Sequence, residues 1–247
     1  MIALILAGGF GSRLDELTKI IPKPLVKIGP EPIILHIMKI YLLQGYSNFV
    51  IATGYKSYEI TKFFLGKKIN KKIIDIEYYI EGKKCKITLI NTGIKSMTGG
   101  RLKEAAKYIK DENFFLTYGD GLANINLKKL LLVHNKQKKL VTITAVNPPP
   151  RFGEIKIINN KVVNFSEKKV IKNIWINGGF FVVNKKFISF IKDKKTILEK
   201  EPLEKAARFG ELSVYKHYRF WQCMDTKRDR DKLIGFVKNK KFPWLKK

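Results

Sequence analysis

The chain begins with MIALILAGGFGSRL (residues 1–14), and this stretch carries its clearest fold signal. The apolar run at residues 2–6 does not alternate with polar residues, which is typical of a strand buried on both faces of a parallel sheet. A glycine-rich turn at residues 7–13 follows immediately, and open parallel sheets bind ligands at the carboxyl ends of their strands. The stretch therefore predicts an α/β protein with a ligand-binding loop after its first strand.

Helix and strand patterns alternate from this loop to about residue 146. Apolar residues recur at helical spacing over residues 32–43, and a strand pattern follows at residues 49–52. Further helices are predicted at residues 102–109 and 127–134, and further buried strands at residues 114–117 and 141–146. This order of elements is typical of a Rossmann-like sheet flanked by helices.

The pattern changes after the three prolines at residues 148–150. Short β-rich runs at residues 155–158, 162–165 and 175–183 replace the alternation, and helical patterns return at residues 198–209 and 229–237. We therefore predict a single domain over residues 1–247. In it, a nucleotide-binding part (1–146) is joined to a β-rich part (147–247) that closes over it.

The formal net charge of +28 over 247 residues raises the possibility of a nucleic-acid or anionic-membrane partner. Seven of the 49 basic residues are arginines, and the 42 lysines are spread along the whole chain. That spread favours a compositional bias over a binding stripe, and the sequence carries no RNP, zinc-finger or helix-turn-helix signature. We expect no nucleic-acid partner, and a basic nucleic-acid-binding protein is kept as an alternative interpretation.

Cysteine usage and hydropathy indicate the compartment. Cys85 and Cys223 are far apart and have no metal-ligand spacing, so a reducing environment is expected. The apolar start is too short for a signal sequence, and no stretch has the length of uncharged residues that a membrane span requires. These features predict a soluble, cytoplasmic protein without a membrane partner.

The glycine loop and two basic residues after it form the first candidate site. Glycines let backbone N–H groups surround phosphate oxygens. Leu14 occupies a position where the dinucleotide-binding fingerprint needs a small residue, and no Walker A Gly-Lys-Ser/Thr follows. A tight turn without a ligand is the alternative. Arg13 and Lys23 favour a phosphate ligand, because the prolines on both sides of Lys23 stiffen its backbone.

Two aspartates form the second candidate site. Asp120 lies between two glycines just beyond a predicted buried strand, and Asp225 follows a bulky apolar stretch. Mg²⁺ is commonly held by one or two such carboxylates together with substrate phosphates. The alternatives are a turn or N-cap residue for Asp120 and an N-cap of the last helix for Asp225.

Taken together, these motifs resemble the sugar-1-phosphate nucleotidylyltransferases, and within them the glucose-1-phosphate cytidylyltransferase group. The broader resemblance rests on LAGGFGSRL (6–14), PKP (22–24), EK (167–168) and NGG (177–179). The narrower one rests on SMTGGRL (96–102), FLTYGDG (115–121), PPRFG (149–153), and FWQ (220–222) with MDT (224–226). The resemblance as a whole spans residues 6 to about 244. It implies a nucleotide-diphospho-sugar transferase fold, with a mixed sheet and a β-rich part that binds the sugar.

The resemblance also implies roles for individual residues. The backbone of Leu6, Ala7, Gly8 and Gly9 would contact the base, Gly11, Ser12, Arg13 and Lys23 would bind the triphosphate, and Ser96, Thr98, Arg101 and Gly119 would help to hold the nucleotide. Gly153, Glu167, Lys168, Asn177 and Gly178 would bind the sugar phosphate. Asp120 and Asp225 would coordinate Mg²⁺, and the catalytic residues would be Arg13, Lys23 and Asp120.

The reaction implied is the transfer of a cytidylyl group from CTP to glucose 1-phosphate, giving CDP-glucose and pyrophosphate. Such a product would serve the synthesis of deoxysugars in surface polysaccharide, and the resemblance implies a homo-oligomer. Another nucleotide or another phosphorylated acceptor stays open, because the base is read by backbone contacts that a sequence shows poorly.

Overall fold

The computed structural model of the chain describes residues 1–148, 153–167 and 174–246, with their side chains except those of residues 15, 16 and 154. Its strands are β1 (Ala3–Leu6), β2 (Lys27–Ile28), β3 (Glu31–Pro32), β4 (Asn48–Thr53), β5 (Ile73–Ile80), β6 (Lys83–Asn91), β7 (Asn113–Tyr118), β8 (Gly121–Ala123), β9 (Val141–Val146), β10 (Glu154–Ile158), β11 (Lys161–Ser166), β12 (Ile176–Asn184), β13 (Leu212–His217) and β14 (Trp221–Cys223). Its α-helices are α1 (Asp15–Thr18), α2 (Ile33–Leu42), α3 (Ser57–Leu65), α4 (Thr98–Ala106), α5 (Leu127–Gln137), α6 (Glu201–Arg208) and α7 (Lys227–Lys238).

Eight strands form one mixed sheet in the order β13-β9-β12-β7-β1-β4-β6-β5. Strand β1 pairs in parallel with β4 and β7 at its centre, whereas β12 runs antiparallel between β7 and β9. The predicted α/β class with a mixed, helix-flanked sheet is confirmed. None of the helices in the described ranges has both the length and the apolar character needed to cross a bilayer.

Burial of β1 explains why its sequence lacks polar alternation. Ala3 and Ile5 contribute to a core with α2 on one face of the sheet. Leu4 and Leu6 contribute to a second core with residues of α4 and α6 on the other face. Because successive side chains of a strand point to opposite faces, a strand covered on both sides must be apolar throughout.

Strands from both parts of the chain share this sheet. Strands β12 and β13 come from residues after 147, yet β12 lies beside β7 and β13 beside β9. A short ribbon of β8 and β14 and a hairpin of β10 and β11 lie outside the sheet. The ribbon brings the residues that follow β14 back to the end of β7.

Candidate active site

A cavity of about 770 Å³ opens at the carboxyl ends of β1 and β7. Its walls are the glycine loop after β1, the start of α4, the turn after β7, the start of β12, and residues of β14 and just beyond it. All the predicted site residues up to Asp120, together with Asn177, Gly178 and Asp225, line it. The crevice therefore lies where the sequence places the ligand.

The glycine loop packs so closely on other residues that side chains are excluded at two positions. A Cβ at Gly8 would lie 2.3 Å from Arg101 Nη1. Gly11 has a φ of +69°, which L-residues with side chains rarely adopt, and a Cβ there would lie 2.8 Å from Thr18 Cγ2. These glycines let the loop cover Arg101 and turn back toward Lys23.

Charged side chains from three distant parts of the chain converge beside the loop. Lys23 Nζ lies 2.6 Å from Asp120 Oδ2 and 2.8 Å from Asp225 Oδ1. Arg13 Nη1 donates to Asp225 Oδ2 at 2.8 Å, and its side chain is 69% exposed in the cavity mouth. Two cations and two carboxylates thus form one cluster, with Lys23 as its buried centre.

The electrostatics of the cluster hold Lys23 and Asp225 in their charged forms. Burial lowers the pKa of Lys23, but the charges and hydrogen bonds of Asp120 and Asp225 outweigh burial and leave this pKa raised. Burial raises the pKa of Asp225, but the hydrogen bond and charge of Lys23, with the charge of Arg13, lower it below its ordinary value. At neutral pH, Lys23 is an ammonium and Asp225 a carboxylate.

Local structure explains why Asp225 reaches this cluster. Strand β14 pairs antiparallel with β8, with Cys223 opposite Gly121, and the N–H of Met224 donates to the carbonyl of Asp120 at 2.9 Å. The N-cap of α7 is Thr226, whose side chain forms a reciprocal capping box with Asp229. The alternative interpretation of Asp225 as the N-cap is therefore wrong, and its carboxylate faces Lys23 and Arg13.

The two carboxylates suit a divalent cation. Their oxygens converge within hydrogen-bond distance of one point, the Nζ of Lys23, and Mg²⁺ is usually bound by one or two carboxylates plus phosphates and water. Among the described residues, no group of three or more His, Cys, Asp or Glu side chains could hold a metal. A cation here would take its remaining ligands from the substrate and solvent.

Arg101 and Ser96 lie beneath the loop, and their hydrogen bonds are made to the protein. The Arg101 guanidinium donates to the carbonyls of Thr53, Gly93 and Ile94 and to Thr92 Oγ1, at 2.7–3.3 Å. Ser96 Oγ donates to the carbonyl of Thr92 at 2.6 Å. Burial lowers the pKa of Arg101 to about 10, so it is still charged at neutral pH. Its charge stands directly behind the backbone of Gly8.

A second set of hydrogen bonds joins other residues that line the cavity. The Tyr118 hydroxyl donates to Glu199 Oε1 at 2.6 Å, and Thr98 Oγ1 donates to Glu199 Oε2 at 2.7 Å. Asn177 Nδ2 donates to the Tyr118 hydroxyl at 3.1 Å, and Trp221 Nε1 donates to the carbonyl of Gly178 at 2.7 Å. Sequence reasoning missed Glu199 and Tyr118: Tyr118 lies in the FLTYGDG motif without a role assigned to it, and Glu199 lies in no motif with a recognisable ligand pattern.

The other predicted sugar-phosphate residues lie at the base of the β10–β11 hairpin. Gly153 and Glu167 are neighbours, since a Cβ at Gly153 would lie 2.8 Å from Glu167 Oε2. Both are exposed, and neither is among the residues that line the cavity. Lys168 and the motif residues 149–152 lie outside the described residues.

Cys223 also lines the cavity, with its Sγ 3.5 Å from Asp225 Oδ2. Burial, followed by the negative charges of Asp225 and Asp120, raises the pKa of this thiol to about 12. It is therefore a protonated, weakly nucleophilic thiol at neutral pH.

The sequence is similar to those of known nucleotidyltransferases. A family model described as nucleotidyl transferase matches residues 2–224. The glucose-1-phosphate cytidylyltransferase of Salmonella typhimurium is 42% identical over an alignment of 255 residues, which covers 99% of this chain and 98% of that protein. The probable glucose-1-phosphate cytidylyltransferase of Bacillus subtilis is 43% identical over 234 residues, which cover 92% of each chain.

The fold is also shared with a solved structure. The crystal structure of HddC from Yersinia pseudotuberculosis has a TM-score of 0.72 to this chain at 23% identity, covering 96% of this chain and 99% of that one. The family assignment rests on the family model and on the sequence match over almost the full length. The chain belongs to the nucleotidyl transferase family.

Proposed function

We propose that the chain transfers a cytidylyl group from CTP to α-D-glucose 1-phosphate, giving CDP-glucose and pyrophosphate. The two relatives named above support this choice of substrates through 42–43% identity over more than nine-tenths of the chain. The observation that carries the proposal is the convergence of Arg13, Lys23, Asp120 and Asp225 in one cavity beside the glycine loop.

The reaction is a displacement at phosphorus. An oxygen of the sugar phosphate attacks the α-phosphorus of the triphosphate, a new phosphorus–oxygen bond forms, and the bond to the β-phosphate oxygen breaks as pyrophosphate leaves. Both reactants are anions, so catalysis depends chiefly on positioning them and neutralising their charge. Arg13 and Lys23 supply positive charge where the leaving pyrophosphate becomes more negative.

Direct displacement requires no protein nucleophile. The described residues that line the cavity include no histidine that could activate a serine or the Cys223 thiol. That thiol is protonated at neutral pH, since its pKa is raised to about 12. The groups around the reacting atoms therefore suit binding and charge neutralisation rather than covalent catalysis.

In this proposal the nucleotide lies along the glycine loop and the start of α4. The backbone of residues 6–9 contacts the base, and Gly11, Ser12, Arg13 and Lys23 bind the triphosphate. Ser96 and Arg101 act through the protein, because their polar groups hold the backbone that supports the loop. Asn177 and Gly178 lie at the sugar end, with the side chain of Trp221 over Gly178.

Asp120 and Asp225 would hold Mg²⁺ in the complex with the triphosphate. When bound, the ion would neutralise and orient phosphate oxygens. Lys23 and Arg13 lower the pKa of Asp225, so its carboxylate is negatively charged at neutral pH and able to accept a metal.

A matrix of nucleotides and sugar phosphates tests the proposal. Pyrophosphate release is measured with CTP, UTP, dTTP and GTP, each combined with glucose, mannose and N-acetylglucosamine 1-phosphates. We expect the highest kcat/KM with CTP and glucose 1-phosphate, loss of activity with EDTA, and recovery with excess Mg²⁺. A different preferred pair would refute the substrate assignment, and no pyrophosphate from any pair would refute the activity.

A further inference from the structure

Three carboxylates line the cavity among the described residues, and one of them has a different kind of partner. Asp120 and Asp225 are paired with Lys23, and Asp225 also with Arg13. The hydrogen bonds of Glu199 come from the neutral hydroxyls of Tyr118 and Thr98. Glu199 is therefore a carboxylate that faces the ligand space without a cation beside it in the described part of the chain.

Glu199 keeps capacity for a ligand. Each of its two oxygens accepts one hydrogen bond from the protein, whereas a carboxylate can accept about four. Glu199 is exposed at the cavity wall. Two acceptor positions thus remain available on an ionisable group that is held by Tyr118 and Thr98.

The hydrogen-bond polarity around Glu199 restricts what can bind there. The hydroxyls of Tyr118 and Thr98 each spend their single proton on Glu199, so neither can donate to a ligand. Asn177 gives one amide hydrogen to Tyr118 and keeps the second, and Asn177 Oδ1 accepts from the N–H of Gly179. This wall of the cavity is an acceptor surface with one amide donor, which suits hydroxyl groups.

Charge distinguishes the Glu199 wall of the cavity from the part lined by Arg13 and Lys23. Phosphate groups are repelled by a carboxylate and attracted by Arg13 and Lys23. A ligand with an anionic end and a hydroxyl-rich end would place its phosphate at the cations and its hydroxyls toward Glu199. A sugar phosphate has this form, and Asn177 and the Trp221–Gly178 contact complete that wall.

We propose that Glu199 accepts hydrogen bonds from the hydroxyls of the hexose and is a specificity-determining residue for the sugar phosphate. It also fixes the orientation of that wall, because it accepts from the Tyr118 hydroxyl, to which Asn177 donates in turn. This inference rests on the proposed function, in that it needs a sugar phosphate as acceptor, and it adds a sugar contact to those that the sequence indicates.

The test compares Glu199→Gln with the wild type on a series of sugar phosphates. The series contains the sugar 1-phosphate that the wild type uses and its 2-, 3-, 4- and 6-deoxy analogues. Glu199→Gln keeps the size of the side chain and removes its charge. Glu201→Gln is the matched control, because Glu201 is an exposed acid two positions away that does not line the cavity.

We expect the wild type to lose about 10- to 100-fold in kcat/KM when the contacted hydroxyl is absent. Glu199→Gln should lose a similar factor with the full sugar phosphate, mainly through the KM for the sugar, with the KM for CTP changed less than about twofold. With the analogue that lacks the contacted hydroxyl, Glu199→Gln and wild type should differ by less than about threefold, because both changes remove the same hydrogen bond. Glu201→Gln should follow the wild type throughout.

The inference is overturned if Glu199→Gln discriminates among the deoxy analogues as the wild type does, or if it changes the CTP-to-UTP preference and leaves the KM for the sugar unchanged. Glu199→Asp, which keeps the charge on a shorter side chain, is measured beside it and takes its place in the comparison if the Gln variant does not fold. Because the series is built on the acceptor that the wild type uses, failure with glucose 1-phosphate counts against the proposed function and not against Glu199.

Discussion

Lys23 Nζ and Asp120 Oδ2 lie 2.6 Å apart, although 97 positions separate the two residues in the chain. Lys23, which is flanked by two prolines, begins a short 3₁₀ helix, and Asp120 follows the central strand β7. Asp225, from beyond β14, contacts the same ammonium at 2.8 Å. The cluster therefore exists only in the folded chain, and its members can be separated by mutation.

Removal of either carboxylate charge should abolish turnover and leave the fold intact. Asp120→Asn and Asp225→Asn keep the size of the side chain but weaken the binding of a metal ion and the ion pair with Lys23. We therefore expect kcat/KM to fall at least about 100-fold. Circular dichroism and the unfolding midpoint report the fold. Asp231→Asn, an exposed aspartate outside the cavity, is the control and should keep wild-type activity. Near-normal turnover in both cavity variants would refute a role for this pair.

Substitution of Lys23 should change how stability depends on pH. In the wild type the lowered pKa of Asp225 means that its stabilisation is present at neutral pH and is lost as the pH falls through that pKa. In Lys23→Met, burial acts on Asp225 with only the Arg13 charge and the Cys223 hydrogen bond to oppose it, so this pKa rises and the charged form becomes costly as the pH increases. We expect a loss of about 3 kcal/mol at pH 8 and a smaller loss at pH 4.5.

Chemical denaturation at the two pH values measures this difference. Lys23 itself adds no slope in that window, because its raised pKa places its own loss of charge above pH 10.5. A stability difference between variant and wild type that is the same at both pH values, or larger at pH 4.5, would contradict the coupling of Lys23 with Asp225.

The Cys223 thiol should report the negative charge of the cluster. With a pKa of about 12, it should react with iodoacetamide at pH 8 about a thousandfold more slowly than in the unfolded chain. In a Cys85→Ala background, Asp225→Asn should speed the reaction, because it removes a charge that raises this pKa. Equal labelling rates with and without the Asp225 charge would show that this charge does not control the reactivity of the thiol.

Arg101 should contribute to stability more than to nucleotide contact. Arg101→Lys cannot reproduce the hydrogen bonds to the carbonyls of Thr53, Gly93 and Ile94, so the free energy of unfolding should fall by about 2–4 kcal/mol. Arg208→Lys, an exposed arginine on α6, is the control and should change stability by less than about 0.5 kcal/mol. Unchanged stability with a weakened affinity for CTP would instead assign Arg101 to direct nucleotide binding.

The site residues nearest to strand ends could be predicted from the sequence. The glycine loop, Asp120 and the proline-flanked Lys23 carry their own local signals, and the topology of a parallel sheet places them together. Glu199 has no such signal, since it lies before the short helix α6 in a run of residues without a ligand-binding pattern. Its position depends on the contacts of Tyr118 and Thr98, which only the folded chain shows.

Several element boundaries differ from the predictions for identifiable reasons. Helix α4 begins at Thr98 rather than residue 102, although Gly99 and Gly100 are poor helix formers. A Cβ at Gly100 would lie 2.3 Å from the carbonyl oxygen of Lys194, so close packing requires glycine there. The hairpin of β5 and β6 is absent from the predicted elements. Its two-residue turn has a positive φ at both Glu81 and Gly82, and glutamate at the first of these positions is not among the residues that signal such a turn.

Phosphorus NMR of a single reaction tests the central claim most directly. The enzyme is incubated with Mg²⁺, CTP and glucose 1-phosphate, and the phosphorus-containing products are identified and quantified over time. We predict that CDP-glucose and pyrophosphate appear in equal amounts as both substrates disappear, and that Asp225→Asn forms neither. Hydrolysis of CTP without a sugar nucleotide, or no consumption of either substrate, would contradict cytidylyl transfer by this chain.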